Sequence, residues 1–234
     1  MEYSKEVLDE ALLLAQSSQI AERKLGEKVL RQATCLELGT KNTIPVRDWF
    51  TSNTEKIMQT IKREKDSRLL WGYIYMLHSF CGRYIQEYYL VRNSEDFIKD
   101  KKTIRFREQA IALVKSMTEI SDLKVLQAVG SFFWLYGDSQ AWDVFLKVLS
   151  HKRDSLTISH IAVAVSQCYH VVVNRREKCD YNGDLITDCK SLITKEQVIG
   201  LINRFSEIEK KTSTKKLTCG QAIENLKEIL KKFS

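Results

Sequence analysis

Proline and glycine are scarce in this chain, which has one proline, Pro45, and nine glycines in 234 residues. Proline interrupts helices, and β-rich proteins need many tight turns that these two residue types supply. Their scarcity therefore argues against a turn-rich all-β fold and predicts long helices joined by short polar loops. The hydrophobic content of 44% is enough to build a core and excludes a disordered tail.

Catalytic and ligand-binding motifs are also lacking. The sequence contains no glycine-rich phosphate-binding loop, no G-x-S-x-G and no H-E-x-x-H. Asp180, Asn182 and Asp184 alternate like the start of a calcium loop, but the glycine and the bidentate glutamate that complete such a loop are absent. Cys168 and His170 are the closest pair of zinc-ligand types, and they point to different sides of a helix. We therefore expect no catalytic residue, no metal and no cofactor.

The N-terminal residues do not look like a signal peptide, because acidic side chains lie among the first ten and the apolar run is short. Six cysteines are scattered along the chain, several of them at apolar helix positions. Such thiols suit a reducing compartment better than a disulfide framework. The sequence predicts an intracellular protein, nuclear or cytoplasmic, with no membrane association.

The stretch from Arg68 to Leu90 has no charged residue between Leu69 and Phe80. Its apolar positions follow helical spacing on more than one face, which predicts a central helix enclosed by protein. The uncharged part is shorter than the roughly 18 residues of a membrane span. Aromatic residues exceed what one inward stripe needs, so we expect some at a surface covered by a partner. The candidate partner-binding residues are Trp71, Tyr75, Tyr84, Tyr88 and Tyr89.

Hydrophobic spacing and capping residues predict about ten helices. Leu25 belongs to the predicted inward stripe of the second helix. Trp49 and Phe50 are predicted to pack as a short turn within a connector over residues 39–53. Asp66 or Ser67 is the predicted cap of the central helix.

Two capping boxes, in which side chains bond each other's backbone N–H groups, are predicted at Ser52 with Glu55 and at Thr194 with Gln197. The valine run 171–173 favours a strand by itself, but the spacing of the preceding apolar residues favours a helix, which we predict.

An internal repeat with an offset of 34 lies in residues 111–173. Each copy has a helix, a short Ser/Asp turn and an Ala/Val-rich helix, in ALVKSMTEISDLKVLQAVGSF and FLKVLSHKRDSLTISHIAVAVSQC. Ser121 and Ser155 are the aligned predicted caps. The pattern resembles the armadillo and HEAT repeat families. This resemblance implies an all-α, right-handed superhelical stack of antiparallel helix hairpins.

We interpret residues 1–234 as a single all-helical domain. An alternative subdivision has a repeat array over residues 1–174, a polar connector over 175–193 and a C-terminal helical hairpin over 194–234.

The net charge is +7, and Lys and Arg exceed Asp and Glu mainly in residues 51–110 and 171–234. In a stacked array these clusters could merge into one stripe that neutralises phosphates. Charge runs are more usually solvated loops, which we favour here. The candidate nucleic-acid-binding residues are Lys62, Arg63, Lys99, Lys101, Lys102, Arg105, Arg107, Arg175, Arg176 and Lys178.

These observations favour a non-catalytic adaptor that presents a helical-repeat surface to a peptide or another protein. The alternative is a nucleic-acid-binding module that uses the basic loops. A homodimer is a further expectation for the aromatic surface.

Overall fold

A computed structural model describes residues 3–35, 43–82, 101–151, 154–178, 180, 184–211 and 216–233. Within these ranges the chain has eleven α-helices and no β-strand, which confirms the all-α prediction. None of the described helices combines the length and the apolar content needed to cross a bilayer. The helices are α1 (Lys5–Ala15), α2 (Ile20–Ala33), α3 (Thr43–Ser52), α4 (Thr54–Arg63), α5 (Ser67–Phe80), α6 (Lys101–Lys115), α7 (Leu123–Leu135), α8 (Gln140–His151), α9 (Ser155–Val172), α10 (Lys195–Lys211) and α11 (Lys216–Leu230).

The chain divides into two compact units, Met1–Ala128 and Val129–Ser234, with the boundary inside α7. In the first unit, α1 and α2 form an antiparallel hairpin, and α2 also packs on α5. Helix α3 contacts α1, α4 and α6, and α4 contacts α6. In the second unit, α11 packs on both α10 and α9, and α8 packs on α10.

The hairpin of α1 and α2 depends on Gly26. A Cβ at this position would lie 2.4 Å from the Ala11 carbonyl oxygen and 2.5 Å from the Ala15 nitrogen, so the two backbones meet where only glycine fits. This approach turns Gly26 and Leu30 toward α1 and leaves Leu25 on the outside, 52% exposed. The predicted inward position of Leu25 is therefore wrong, because the closest contact uses a residue with no side chain.

The connector predicted before α4 is largely a helix, α3. Pro45 lies in its first turn, where a missing backbone N–H breaks no intrahelical bond. Trp49 and Phe50 are buried, as predicted, but on a helix instead of a turn. The Trp49 indole N–H donates to Asp9 Oδ1 at 2.8 Å and so ties α3 to α1.

Three phenylalanines from different helices form the centre of the first unit. Phe50 of α3 stacks on Phe80 of α5 with 4.9 Å between ring centroids, and Phe80 lies 4.5 Å from Phe106 of α6. All three are fully buried. Their contact fixes where the C-terminal end of α5 meets the other helices.

Helix starts agree with the predicted caps at two positions. Asp66 Oδ1 accepts the backbone N–H groups of Arg68 and Leu69 at 3.0 Å, which confirms the cap of α5. Thr194 and Gln197 form the predicted reciprocal box, with bonds of 2.9 and 3.2 Å. Both helices therefore begin where local sequence satisfies their first N–H groups.

Other caps differ from the predictions. Helix α4 begins at Thr54 as expected, but its cap residue is Asn53 and makes no side-chain cap bond, so the box of Ser52 is wrong. Asp122 and Asp154, each next to a predicted serine, accept the first N–H groups of α7 and α9. A carboxylate also gains from the positive end of the helix dipole, which a serine hydroxyl does not.

The second unit has a tryptophan at its centre. Trp142 is fully buried and donates its indole N–H to the Leu192 carbonyl at 2.7 Å. Gly137 adopts a left-handed φ of 65° after the end of α7, as the sequence predicts for a helix stop. Helix α9 continues through Val172, which confirms the helical interpretation of the valine run.

We expect Gly26→Ala to lower the free energy of unfolding by about 1–3 kcal/mol, because the added methyl group meets backbone atoms that cannot move aside. The helix-propensity gain of about 1 kcal/mol opposes this loss. Chemical denaturation followed by circular dichroism measures the change.

Gly200→Ala is the control, because there the nearest atoms belong to the flexible Leu146 side chain at 3.3 Å. It should keep or raise stability. A Gly26→Ala protein as stable as the native one would contradict the close approach of α1 and α2.

Candidate interaction surface

The solvent-facing side of α5 carries aromatic rings where a surface helix usually carries charged residues. Trp71 is half-buried and Tyr75 is exposed, and their rings stack with centroids 5.7 Å apart and planes 18° apart. His78 stacks on Tyr75 at 6.1 Å, again with an 18° angle between planes. We call Trp71, Tyr75 and His78 the aromatic ladder.

The ladder follows from helical spacing. Its three residues lie four and three positions apart, so they come one above another along the same side of α5. The buried residues of the helix, including Leu70, Ile74 and Leu77, take up the rest of its circumference. The prediction that protein encloses this helix is therefore wrong at Tyr75, which is exposed.

Arg31 of α2 extends the ladder at the end formed by Trp71. Its guanidinium carbon lies 5.9 Å from the centre of the Trp71 ring, within the range of a cation–π contact. The same guanidinium donates from Nε to the Glu27 carboxylate at 2.6 Å. Glu27 thus orients the arginine that lies over the ladder.

Glu27 is a buried carboxylate, 6% exposed, at the contact of α2 with α5. A Cβ at Gly72 would lie 2.2 Å from Glu27 Oε1, so the glycine of α5 makes room for the acid. Burial raises the pKa of Glu27 above its usual value, and the attraction of Arg31 and Arg68 opposes this rise only in part. The attraction of the two arginines therefore offsets only part of the free energy that burial of the Glu27 charge costs.

A second buried carboxylate, Glu64, joins α2 to the corner between α4 and α5. It accepts from Arg23 Nε at 3.1 Å and from the backbone N–H groups of Lys65 and Asp66 at 2.9 and 2.8 Å. These three hydrogen bonds give the Glu64 carboxylate a structural role. Burial, followed by the charges of Glu64 and Glu27, raises the pKa of Tyr73, so its phenol stays protonated.

A polar cleft of about 270 Å³ opens beside this corner. Arg23, Thr60, Arg63 and Glu64 are among its lining residues. Its carboxylate, Glu64, is already bonded to an arginine and to backbone N–H groups, which gives it a structural role.

Two of the five predicted partner-binding residues, Trp71 and Tyr75, come together in the ladder. The other three, Tyr84, Tyr88 and Tyr89, lie outside the described residues. Arg31 and His78 complete the surface but were not predicted, because Arg31 is on another helix and the sequence does not show which residues α2 and α5 bring together. The signal that could have found His78 is its position three residues after Tyr75.

The predicted nucleic-acid-binding residues do not all lie on accessible surface. Arg107 is buried at 8% exposure, and Lys99 lies outside the described residues. Arg105 is exposed and pairs with Glu55. Lys178 lies 4.3 Å from the centre of the Trp134 ring and donates to the Leu135 carbonyl at 3.2 Å, so its charge is engaged. The remaining residues, Lys62, Arg63, Lys101, Lys102, Arg175 and Arg176, are exposed.

No three His, Cys, Asp or Glu side chains within the described ranges form a group that could hold a metal ion. Asp180 accepts the backbone N–H of Asp184 at 3.0 Å, which gives it a turn-forming role, and Asn182 lies outside the described residues.

No family model, no curated protein and no solved structure matches the chain.

The raised pKa of Glu27 predicts a specific pH dependence. Above the ordinary carboxyl pKa and up to the raised one, the folded protein binds more protons at this site than the unfolded chain. This group's contribution to the free energy of unfolding therefore falls as pH rises through that window. We expect the stability of the native protein minus that of Glu27→Gln to decrease across it, measured by denaturation at several pH values.

Glu10→Gln is the matched control, because Glu10 is exposed on the neighbouring helix α1. It removes an exposed carboxylate and should keep the free energy of unfolding within about 0.5 kcal/mol of the native value. A native-minus-Glu27→Gln difference that stays flat or rises with pH would contradict the burial argument.

Proposed function

We propose that the protein is a non-catalytic adaptor that binds a peptide or another protein through the aromatic ladder of α5. The observation that supports this is the placement of stacked Trp71 and Tyr75 on a solvent-facing helix side. Rings placed there leave apolar area in water, a cost that a partner would remove by covering them. Tryptophan and tyrosine are also the residues that most often carry binding energy at interfaces.

We also propose that the helices form a right-handed superhelical stack of hairpins similar to armadillo and HEAT repeats. The support is the sequence repeat in residues 111–173 and the antiparallel pairing of α1 with α2. Such stacks offer extended surfaces to partners. We place the protein in the nucleus or cytoplasm, a proposal supported by the scattered spacing of the six cysteines and by the apolar helix positions of several of them.

We expect the double variant Trp71→Ala/Tyr75→Ala to lose the partners of the native protein. Tagged native and variant proteins would be purified from the native cell and compared by quantitative mass spectrometry. The partners should fall at least tenfold with the variant, because the ladder supplies their anchor. Circular dichroism would verify that the variant remains folded.

Leu13→Ala is the control, because Leu13 is an apolar residue of the same unit with 71% exposure. It removes exposed apolar surface from α1 and should keep the partners. The adaptor proposal fails if the ladder variant retains every partner of the native protein.

The second candidate function is nucleic-acid binding through the exposed basic residues. Lys101 and Lys102 are exposed at the start of α6, and Lys102 lines a cleft of about 370 Å³ at the start of α4 that also contains the ion pair of Arg105 with Glu55. If this function holds, random-sequence RNA or DNA should bind, and binding should weaken steeply between about 50 and 200 mM salt. Lys101→Glu/Lys102→Glu should reduce the affinity. No detectable binding at low salt would exclude this candidate.

A further inference from the structure

Basic side chains flank the aromatic ladder on both helices. On α2, Lys24, Lys28 and Arg31 share one side at three- and four-residue spacing, and Lys24 and Lys28 are exposed. On α5, exposed Arg68 lies three residues before Trp71. We call this surface the α2–α5 ridge. It consists of Lys24, Lys28, Arg31, Arg68 and the aromatic ladder.

Acidic side chains neutralise the ridge only in part. Helix α5 contains no aspartate or glutamate but is capped by Asp66 beside Arg68, and α2 contains only Glu22 and Glu27. Glu27 is buried, bonded to Arg31 and attracted by Arg68. Lys24, Lys28, Arg31 and Arg68 still outnumber these three acids, so the ridge keeps a positive charge that favours an anionic partner.

The ring geometry distinguishes between two kinds of anionic partner. Tyr75 lies between Trp71 on one side and His78 on the other, with both pairs of planes 18° apart. Tyr75 thus stacks with a ring on each side, and Arg31 lies over the Trp71 ring. A nucleic-acid base binds an aromatic residue by stacking on its face, and the rings of the ladder already stack with one another, so we favour a peptide.

Tyr75 is the exposed ring of the ladder, and Trp71 beside it is half-buried. Carboxylates of a partner are favoured beside the arginines and lysines of the ridge. Apolar side chains between the carboxylates can cover the remaining ring surface.

We propose that the α2–α5 ridge binds an acidic peptide segment of a partner protein, in which carboxylate side chains alternate with apolar ones. This inference rests on the proposed adaptor function and names its partner's chemistry. From Arg68 to His78 the helix rises about 15 Å, which corresponds to about five residues of extended peptide. The carboxylates contact Lys28 and Arg68, and the apolar side chains contact Trp71 and Tyr75.

The probe is a fluorescein-labelled peptide of alternating glutamate and leucine, measured by fluorescence anisotropy with the full chain at low salt. The same peptide with glutamine in place of glutamate tests the charge, and a labelled single-stranded RNA of matched length tests the competing partner class. We expect the acidic peptide to bind at least tenfold more tightly than either. Equal or tighter binding of the glutamine peptide or the RNA would overturn the proposal.

Lys24→Glu/Lys28→Glu reverses two exposed charges of the ridge and leaves Arg31 and Arg68 in place, because both arginines attract the buried charge of Glu27. We expect this variant to bind the acidic peptide at least tenfold more weakly. The control Lys62→Glu/Arg63→Glu reverses two exposed charges on α4, and its affinity should stay within about twofold of the native value. Equal losses of affinity in both variants would show a general charge effect and overturn the proposal that the α2–α5 ridge is the binding site.

Two outcomes separate this inference from the adaptor function. If Trp71→Ala/Tyr75→Ala loses its cellular partners but the native protein does not bind the acidic peptide, the ladder is a docking surface and the acidic partner is wrong. If sedimentation shows a native dimer that this variant dissociates, the occupant is a second copy of the chain and the acidic peptide is again wrong.

Discussion

The contact of α2 with both of its neighbours at Gly26 and Glu27 is the constraint on which the first unit depends. Gly26 lets the α1 backbone approach, and the next residue sends a carboxylate toward Gly72 of α5. Since Gly26 can make its contact only from one rotational setting of α2, the position of Glu27 follows from it. That setting in turn places Arg31, one helical turn later, over Trp71.

The buried ion pair of Glu27 and Arg31 connects this packing to the proposed function. A buried charge pair is often no more stabilising than an apolar pair of similar size, because both ions lose their hydration. Its contribution here is orientation: Glu27 holds the guanidinium that covers one end of the ladder. A leucine in place of Glu27 could fill the space beside a helix but could not position Arg31.

Sequence patterns were sufficient for the all-α class, for the caps of α5 and α10 and for the helical nature of the valine run, because each follows from local spacing or a local hydrogen bond. They were insufficient where contacts between helices decide which residues are buried. Leu25 was expected inside because it is apolar, yet the inward position belongs to Gly26. The sequence of one helix does not reveal that a glycine lies where the neighbouring helix comes closest.

The same limit applies to the candidate site. Trp71 and Tyr75 were predicted from an excess of aromatic residues, and their three- and four-residue spacing is enough to place them on one side of α5. The sequence did not indicate whether that side faces the core, because apolar residues surround α5 in the helical projection. Phe80 decides the question: its contact with Phe50 and Phe106 turns one side inward and leaves Tyr75 of the ladder exposed and Trp71 half-buried.

Aromatic residues in the second unit are used in a different way. Trp142 and Trp134 are buried 5.0 Å apart and donate their indole N–H groups to Leu192 and Gln167. Their polar atoms are satisfied inside the unit, as stability requires of buried tryptophans. Trp71 instead contacts an arginine and a tyrosine at the surface of the first unit. Core packing accounts for the first two tryptophans, whereas the exposure of Tyr75 beside Trp71 is the feature on which the proposed partner rests.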